Sequence, residues 1–214
     1  MMLQTNLQEP LNGSENEGQM VKIYVVDNGG QWTHREWRTL KYLEVETKIV
    51  PNTISYSALK EENIDGIVLS GGTPRIGLEE SLGNVAELLE KATCPILGIC
   101  AGHQFMARFF NGEIRQSPAP EFGKVELHII KDDALFDGVP KTSIVWESHN
   151  DEVSVLPSDF VHLAESDNCA IQAMRHTSRP CYGLQFHPEV EHTHYGVKIF
   201  ENFISTCKQC SLDK

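Results

Sequence analysis

The sequence predicts an α/β fold in which a mostly parallel central sheet carries helices on both faces and is followed by a β-rich second half. Three observations lead to this prediction. Strand and helix patterns alternate between residues 21 and 110, glycine-containing turns follow three of these strands, and short strand patterns succeed one another from residue 125. Alternating strands and helices give right-handed crossovers and a parallel sheet that is buried on both faces.

The first half alternates short apolar strand patterns with segments whose apolar residues recur at helical spacing. In chain order the predicted segments are Val21–Asp27, Trp32–Leu43, Val45–Val50, Tyr56–Glu62, Gly66–Ser70, Leu78–Lys91, Pro95–Ile99 and Gly102–Phe110. The turns at Gly29–Gly30, Gly71–Gly72 and Cys100 each follow a strand. We therefore expect these turns to share the rim of the sheet at which such folds carry out their chemistry.

The second half predicts strands that are mostly antiparallel, because their connections are short, and one closing helix. The strands are Val125–Ile130, Ser143–Glu147, Val161–Glu165, Ala170–Arg175 and Cys181–Phe186, and the helix is Tyr195–Ser205. We expect one domain over residues 20–207, a disordered polar extension over residues 1–19 and a flexible tail over residues 208–214.

Composition narrows the classes of function. The formal net charge is -12, and no cluster of Lys and Arg stands out, which disfavours binding to nucleic acid or to an anionic membrane surface. No apolar run approaches the length of a membrane span. Residues 1–19 lack the features of a secretory signal, so we expect a cytoplasmic protein whose six cysteines are reduced. The pair Cys207 and Cys210 has no second pair at zinc-ribbon spacing.

The strongest chemical signal is a G-x-C-x-G pattern formed by Gly98, Cys100 and Gly102 between a predicted strand and a predicted helix. This is the nucleophile elbow with cysteine in place of serine. The sharp turn leaves no room for side chains two residues before and after the nucleophile, and the helix N-terminus favours a thiolate. By itself the pattern is equally compatible with a tight turn around a structural cysteine.

A second signal supplies the base that a cysteine nucleophile needs. His187 and Glu189 stand two residues apart on a segment fixed by proline, so that a carboxylate can orient an imidazole. Acyl transfer also requires two N–H donors for the developing oxyanion, and we assign them to Ala101 and to Gly72 in the Ser70-Gly71-Gly72 loop. The alternative interpretation of His187-Pro188-Glu189 is a surface turn.

These motifs, in this order, resemble the class I (triad) glutamine amidotransferases, which have a flavodoxin-like α/β fold. The resemblance covers nearly all of Val21–Phe203 and depends on the SGG loop, PILGICAGHQ and QFHPEV. It implies that Cys100 is the nucleophile, His187 the base and Glu189 its partner. It further implies glutamine-binding roles for Gln104, Ser148, His149, Asn150 and Asp151. Ala101, Asn150 and Thr73 depart from the residues that are common in the family.

Three further segments, DNGGQ, KIVPNT and HPEVEHT, resemble the separate glutaminase subunit of archaeal two-subunit GMP synthases. This resemblance implies a heterodimer in which ammonia passes to an ATP-pyrophosphatase subunit that converts XMP to GMP. ATP and Mg would be used by that partner, and no cofactor is expected in this chain. The alternatives are the same chemistry serving anthranilate or carbamoyl phosphate synthesis, and a non-catalytic regulatory module.

His192 and His194 follow the predicted base closely and, together with His187 and Glu189, suggest a metal site. Because His187 and Glu189 already have catalytic assignments, we expect no metal at this position. We interpret His192 and His194 as exposed or partner-facing side chains at the start of the closing helix.

Overall fold

The computed structural model describes residues 20–74 and 81–212, which form one nine-stranded sheet and the helices that cover it. The strands are β1 (Ile23–Asn28), β2 (Ile49–Pro51), β3 (Gly66–Gly72), β4 (Ile96–Ile99), β5 (Glu113–Ile129), β6 (Thr142–Val155), β7 (Phe160–Glu165), β8 (Ala173–His176) and β9 (Cys181–Leu184). The helices are α1 (Thr33–Tyr42), α2 (Tyr56–Glu61), α3 (Val85–Lys91), α4 (Ala101–Phe109) and α5 (Gly196–Leu212), with a 3-10 turn at Ala134–Phe136. Across the sheet the strand order is β2-β1-β3-β4-β9-β8-β7-β5-β6.

Five neighbouring strands form the parallel half of the sheet, as the alternating pattern predicted. β1 pairs in parallel with β2 and β3, β3 pairs with β4, and β4 pairs with β9. Because their carboxyl ends share one edge, the turns after β1, β3, β4 and β9 come together there. The predicted α/β class is confirmed, with the parallel strands in this half of a mixed sheet, and this edge positions the candidate site.

The β-rich second half continues the same sheet with antiparallel pairs between β9, β8, β7, β5 and β6. The hairpin of β5 and β6 is much longer than predicted, since it pairs Glu113 with Val155 at one end and His128 with Thr142 at the other. Pro118 and Pro120 conceal the strand pattern in the sequence. The pairing accommodates them with a shift of register between Gln116 and Glu121.

Helices cover both faces of the sheet and define two hydrophobic cores. On one face α1 and α5 bury side chains such as Leu40, Phe200 and Phe203 against β1 and β4. On the other face α2, α3 and α4 bury Leu59, Leu88 and similar side chains against β1 and β3. This arrangement is the one expected for a sheet whose parallel strands are apolar on both sides. No helix of the described residues is long and apolar enough to span a membrane.

Two helix boundaries, the start of α3 and the end of α5, differ from the prediction by more than one residue. Helix α3 begins at Val85 because Gly83, at φ +55°, is in a left-handed conformation that a right-handed helix cannot include. Of the predicted helix Leu78–Lys91, residues 78–80 lie outside the described residues.

The closing helix is longer than predicted. Helix α5 continues to Leu212, so the segment predicted as a flexible tail is helical as far as residue 212. Its last turns are held by the buried side chain of Cys207, which packs where Gly66 leaves space, and by a hydrogen bond from Ser211 to Asp65. The predicted extension at residues 1–19 lies outside the described residues.

Candidate active site

Cys100 occupies the turn between β4 and α4 in a strained backbone conformation, with φ +49° and ψ -104°. Such angles are rare for residues with a Cβ, and strain of this kind persists where the surrounding structure enforces it. The backbone N–H of Cys100 donates to the carbonyl of Leu184 at 2.8 Å. This hydrogen bond fixes the turn to the end of β9.

The two glycines of the elbow are required by contacts, as the sequence pattern predicted. A Cβ at Gly98 would lie 2.8 Å from the carbonyl carbon of Gly102, and a Cβ at Gly102 would lie 2.4 Å from the carbonyl oxygen of Leu69. Both contacts are with backbone atoms, which cannot move aside as a flexible side chain can. The elbow is therefore wedged between its own helix and β3.

The thiol of Cys100 is buried beside β6, the residue after β9 and the start of α4. Its Sγ lies 3.9 Å from the carbonyl oxygen of Ser148, and Gln185 Nε2 donates to Sγ at 3.7 Å. The N-terminus of α4 begins at the next residue, Ala101, whose N–H is among the helix donors without an intrahelical acceptor. The positive end of the helix thus faces the position where negative charge forms on sulfur or on a bound oxyanion.

His187 and Glu189 form a short buried pair beside the thiol. His187 Nδ1 lies 2.6 Å from Glu189 Oε1, and 4% of His187 and 7% of Glu189 are exposed. Burial lowers the pKa of His187, but the Glu189 carboxylate and the Cys100 thiol offset it, so that the pKa lies well above the usual value. The protonated imidazole is therefore favoured next to the sulfur.

Neighbouring groups fix the orientation of the His187 ring. Two hydrogen bonds hold the backbone that carries the ring: the backbone N–H of His187 donates to the carbonyl of Trp146 at 2.9 Å, and Thr193 Oγ1 donates to the backbone carbonyl of His187 at 2.7 Å. The Trp32 ring meets the imidazole edge to face, with 4.4 Å between the ring centroids. With Nδ1 engaged by Glu189, Nε2 remains as the nitrogen for proton transfer.

A cavity of about 310 Å³ opens over these groups. Its walls include Cys100, His187 and Glu189 together with Gly71 and Gly72 of the β3 loop. The loop approaches the His187–Glu189 pair closely, since a Cβ on Gly71 would lie 3.1 Å from His187 Cε1. The predicted nucleophile, the predicted base and the predicted oxyanion loop therefore surround one space.

The predicted glutamine-binding residues divide into two groups. Ser148 and Asn150 line the cavity. Gln104, His149 and Asp151 are buried behind the wall. Gln104 Nε2 donates to the carbonyl of Asp151 at 2.7 Å and to Gln185 Oε1 at 3.0 Å, so it contacts the segment that carries Ser148 and Asn150.

A buried polar layer supports this segment from below. His149 Nε2 lies 3.1 Å from Glu121 Oε2, and its Nδ1 lies 3.1 Å from the carbonyl oxygen of Asp151. Gln172 Nε2 also donates to Glu121 Oε2, at 2.7 Å. Glu147 belongs to the same strand, β6. Burial, reinforced by Glu121, raises the pKa of Glu147 well above its usual value, which favours the neutral acid. Hydrogen bonds of this kind fix the backbone on which Ser148 and Asn150 stand.

The structure thus brings Cys100, His187, Glu189 and Gly72 together around the cavity, with Ala101 at the adjoining helix start. Their catalytic roles, and the glutamine-binding roles of the other residues, stay predictions. Among the residues that contact the site, sequence reasoning assigned no role to Gln185, Trp32 and Glu36. Glu36 could have been noticed, because it is a charged residue on the face of α1 that also carries Thr33 and Leu40.

Known proteins resemble this chain over most of its length. The model of the family "Glutamine amidotransferase class-I" matches residues 24–207. A glutamine-hydrolysing GMP synthase subunit of Thermoplasma acidophilum is 52% identical over 189 residues, which are 88% of this chain and 94% of the relative. The subunit of the same name from Pyrococcus abyssi is 47% identical over 188 residues, which are 86% of this chain and 98% of the relative.

Solved structures give the same result. The crystal structure of a putative GMP synthase subunit from Thermoplasma acidophilum superposes with a TM-score of 0.86 at 50% identity, covering 91% of this chain and 97% of the other. A glutamine amidotransferase from Thermotoga maritima superposes with a TM-score of 0.67 at 21% identity, covering 90% and 84%, which shows the shared fold. The chain belongs to the class I glutamine amidotransferase family.

Proposed function

We propose that this chain is the glutaminase subunit of a two-subunit GMP synthase. The observation that carries the glutaminase function is the Cys100–His187–Glu189 arrangement around one cavity, with His187 and Glu189 joined at 2.6 Å. The GMP synthase assignment draws on the names of relatives that are 44–52% identical over most of their own length.

Hydrolysis begins with glutamine in the cavity and a thiolate at Cys100. The sulfur attacks the side-chain carboxamide carbon, and the carbonyl oxygen gains negative charge, which the N–H groups of Ala101 and Gly72 stabilise. His187 then gives its proton to the departing nitrogen, so ammonia leaves and a glutamyl thioester remains. Glu189 holds the imidazole so that Nε2 faces the sulfur and the departing nitrogen.

The second half of the cycle uses the same groups. His187, now neutral, accepts a proton from a water molecule that attacks the thioester carbonyl, and the two N–H donors again stabilise the oxyanion. The intermediate collapses to glutamate, and the sulfur leaves as a thiolate beside the reprotonated His187. The raised pKa of His187 suits this pairing of imidazolium with thiolate.

Substrate specificity comes from the wall formed by β6. Ser148 and Asn150 face the cavity and hold the α-amino and α-carboxylate groups of glutamine. Gln104, His149 and Asp151 contribute from behind by fixing that strand, as their hydrogen bonds indicate. Ammonia passes to a separate ATP-pyrophosphatase subunit, which uses ATP and Mg to convert XMP to GMP.

The experiment is an assay of glutamate release from glutamine by the wild type, Cys100→Ala and the control Cys210→Ala, whose cysteine lies in α5. Each is measured alone and with the ATP-pyrophosphatase subunit, ATP and XMP. We expect release that depends on Cys100, rises with the partner and matches GMP formation. Glutamate release that does not change with this partner would assign the chain to another synthetase. No release in any mixture would reject the glutaminase.

A further inference from the structure

Glu36 places a carboxyl group in the buried stripe of α1, where it adjoins the catalytic groups. The buried side chains of this helix are Thr33, Glu36 and Leu40, and 1% of Glu36 is exposed. A carboxyl group is rarely buried to this extent without a specific partner. No role in the reaction described above accounts for it.

The contacts of Glu36 lead to the β3 loop. Its Oε1 accepts a hydrogen bond from the N–H of Gly71 at 3.4 Å, and within residues 20–74 and 81–212 its Oε2 has no hydrogen-bond partner. Glu36 also lines the cavity that contains Cys100. One turn earlier on the same side of the helix, Trp32 packs against the His187 ring. Helix α1 therefore contacts both the loop and the base.

The peptide groups on the two sides of Gly71 are held by different residues. The carbonyl of Gly71 accepts a hydrogen bond from Ser70 Oγ at 2.7 Å, which fixes the peptide that carries the Gly72 N–H. The preceding peptide presents its N–H to Glu36. Gly30 packs directly on the Gly71 carbonyl, because a Cβ there would lie 2.5 Å from that oxygen. The loop thus has little freedom while Glu36 keeps its place.

We propose that Glu36 is a positioning residue that holds the Gly71 N–H and thereby keeps the Gly72 donor aligned with the oxyanion formed at Cys100. This inference deepens the proposed function and rests on it. In this role Glu36 acts through the loop and takes no part in bond making or breaking. Its effect falls on the transition state, in which the oxyanion exists, and hardly on the binding of glutamine.

Burial and two neighbouring carboxylates favour the neutral form of Glu36, whereas His187 favours the charged form. His187 and Glu189 face it from the segment after β9, and Asp27 faces it from the end of β1. Burial, followed by the repulsion of Glu189, raises the pKa of Glu36 well above its usual value. A neutral acid still offers a carbonyl oxygen to the Gly71 N–H. A glutamine side chain at this position has the same shape and the same acceptor.

Three variants separate positioning from simple packing. Glu36→Met removes the acceptor, Glu36→Gln retains it, and Leu40→Met changes the next buried residue of the same helix stripe. We expect Glu36→Met to lower kcat for glutamate release about 10- to 100-fold with little change in KM, since a misaligned oxyanion donor costs transition-state stabilisation. Glu36→Gln and Leu40→Met should stay within about threefold of the wild-type kcat.

Each variant is assayed with the partner subunit present, after thermal unfolding has shown that it is folded. Should Glu36→Met fail to fold, Glu36→Ala removes the same acceptor and is subject to the same expectation. A wild-type kcat in Glu36→Met, an equal loss in Glu36→Gln, or a loss confined to KM would overturn the inference. Failure of the proposed function is a separate result, because the wild type itself would then release no glutamate.

Discussion

Gly102→Ala tests the steric argument for the elbow. The added Cβ would lie 2.4 Å from the Leu69 carbonyl oxygen and 2.9 Å from Leu69 Cβ. Both lie well inside ordinary contact distance, so α4 and β3 must separate by roughly 1 Å for the contact to become acceptable. Overpacking of this kind costs about 3 kcal/mol, at the upper end of the usual range because backbone atoms meet.

This cost predicts two measurable changes. For a chain of this size, about 3 kcal/mol lowers Tm by about 6 to 12 °C. The same separation moves the Ala101 donor away from the β3 loop, and a displacement of about 1 Å lowers kcat for glutamate release about 100-fold. Thermal unfolding and a steady-state glutaminase assay measure the two effects on one preparation.

Gly123→Ala serves as the control. Gly123 has a positive φ of +90°, which Gly102 in α4 does not, but a Cβ at Gly123 would meet no atom within 4 Å, and the residue lies in β5 away from the cavity lining. We expect about 1 to 2 kcal/mol of destabilisation from its backbone conformation and no loss of kcat. If Gly102→Ala kept the wild-type Tm and kcat, the steric account of the G-x-C-x-G pattern would be wrong.

Three further predictions concern Glu189, Gly71 and His187. Glu189→Gln should lower kcat/KM about 100- to 10,000-fold, because the imidazole loses its orienting charge, and wild-type kinetics in this variant would refute the triad. Gly71→Ala should lower kcat with a small change in Tm, since the new methyl presses on a side chain, His187 Cε1, at 3.1 Å; an unchanged kcat would contradict this. Because the pKa of His187 is raised by folding, its contribution to stability is complete below about pH 6.5 and is lost as pH rises through the folded-state pKa. Urea unfolding should therefore show the stability advantage of the wild type over His187→Gln shrinking as pH rises, and a growing advantage would reverse the sign.

The sequence was sufficient for the features that depend on local chemistry. The spacing of Gly98, Cys100 and Gly102 implied a tight strand-to-helix turn, and the contacts of both glycines explain why. His187-Pro188-Glu189 placed two polar groups on the same side of a constrained segment, and the structure joins them at 2.6 Å. In each case a few neighbouring residues determine the geometry, so a short pattern carries the information.

Features that depend on packing between distant segments could not be predicted. The resemblance assigned Gln104 and His149 to glutamine binding, but whether their side chains reach the cavity depends on how α4 and β6 pack. The structure turns both toward buried partners. The contact between Glu36 and Gly71 likewise joins residues 35 positions apart in the chain. The β5–β6 hairpin was underestimated because its prolines obscure strand alternation.

The most direct test of a cysteine-based glutaminase is covalent trapping of the nucleophile by an electrophilic glutamine analogue. The chain contains six cysteines, so five serve as internal controls. Two of these are poor competitors, since burial raises the pKa of Cys169 and raises that of Cys181 to about 11, which keeps both as thiols. The adduct is located by intact-mass measurement and peptide mapping, with the partner subunit present.

We predict one adduct per chain, on Cys100, with labelling that glutamine slows by competition and that Cys100→Ala abolishes. Labelling on another cysteine, or no labelling of the wild type in the assembled complex, would contradict the assignment of this cavity as a glutaminase active site.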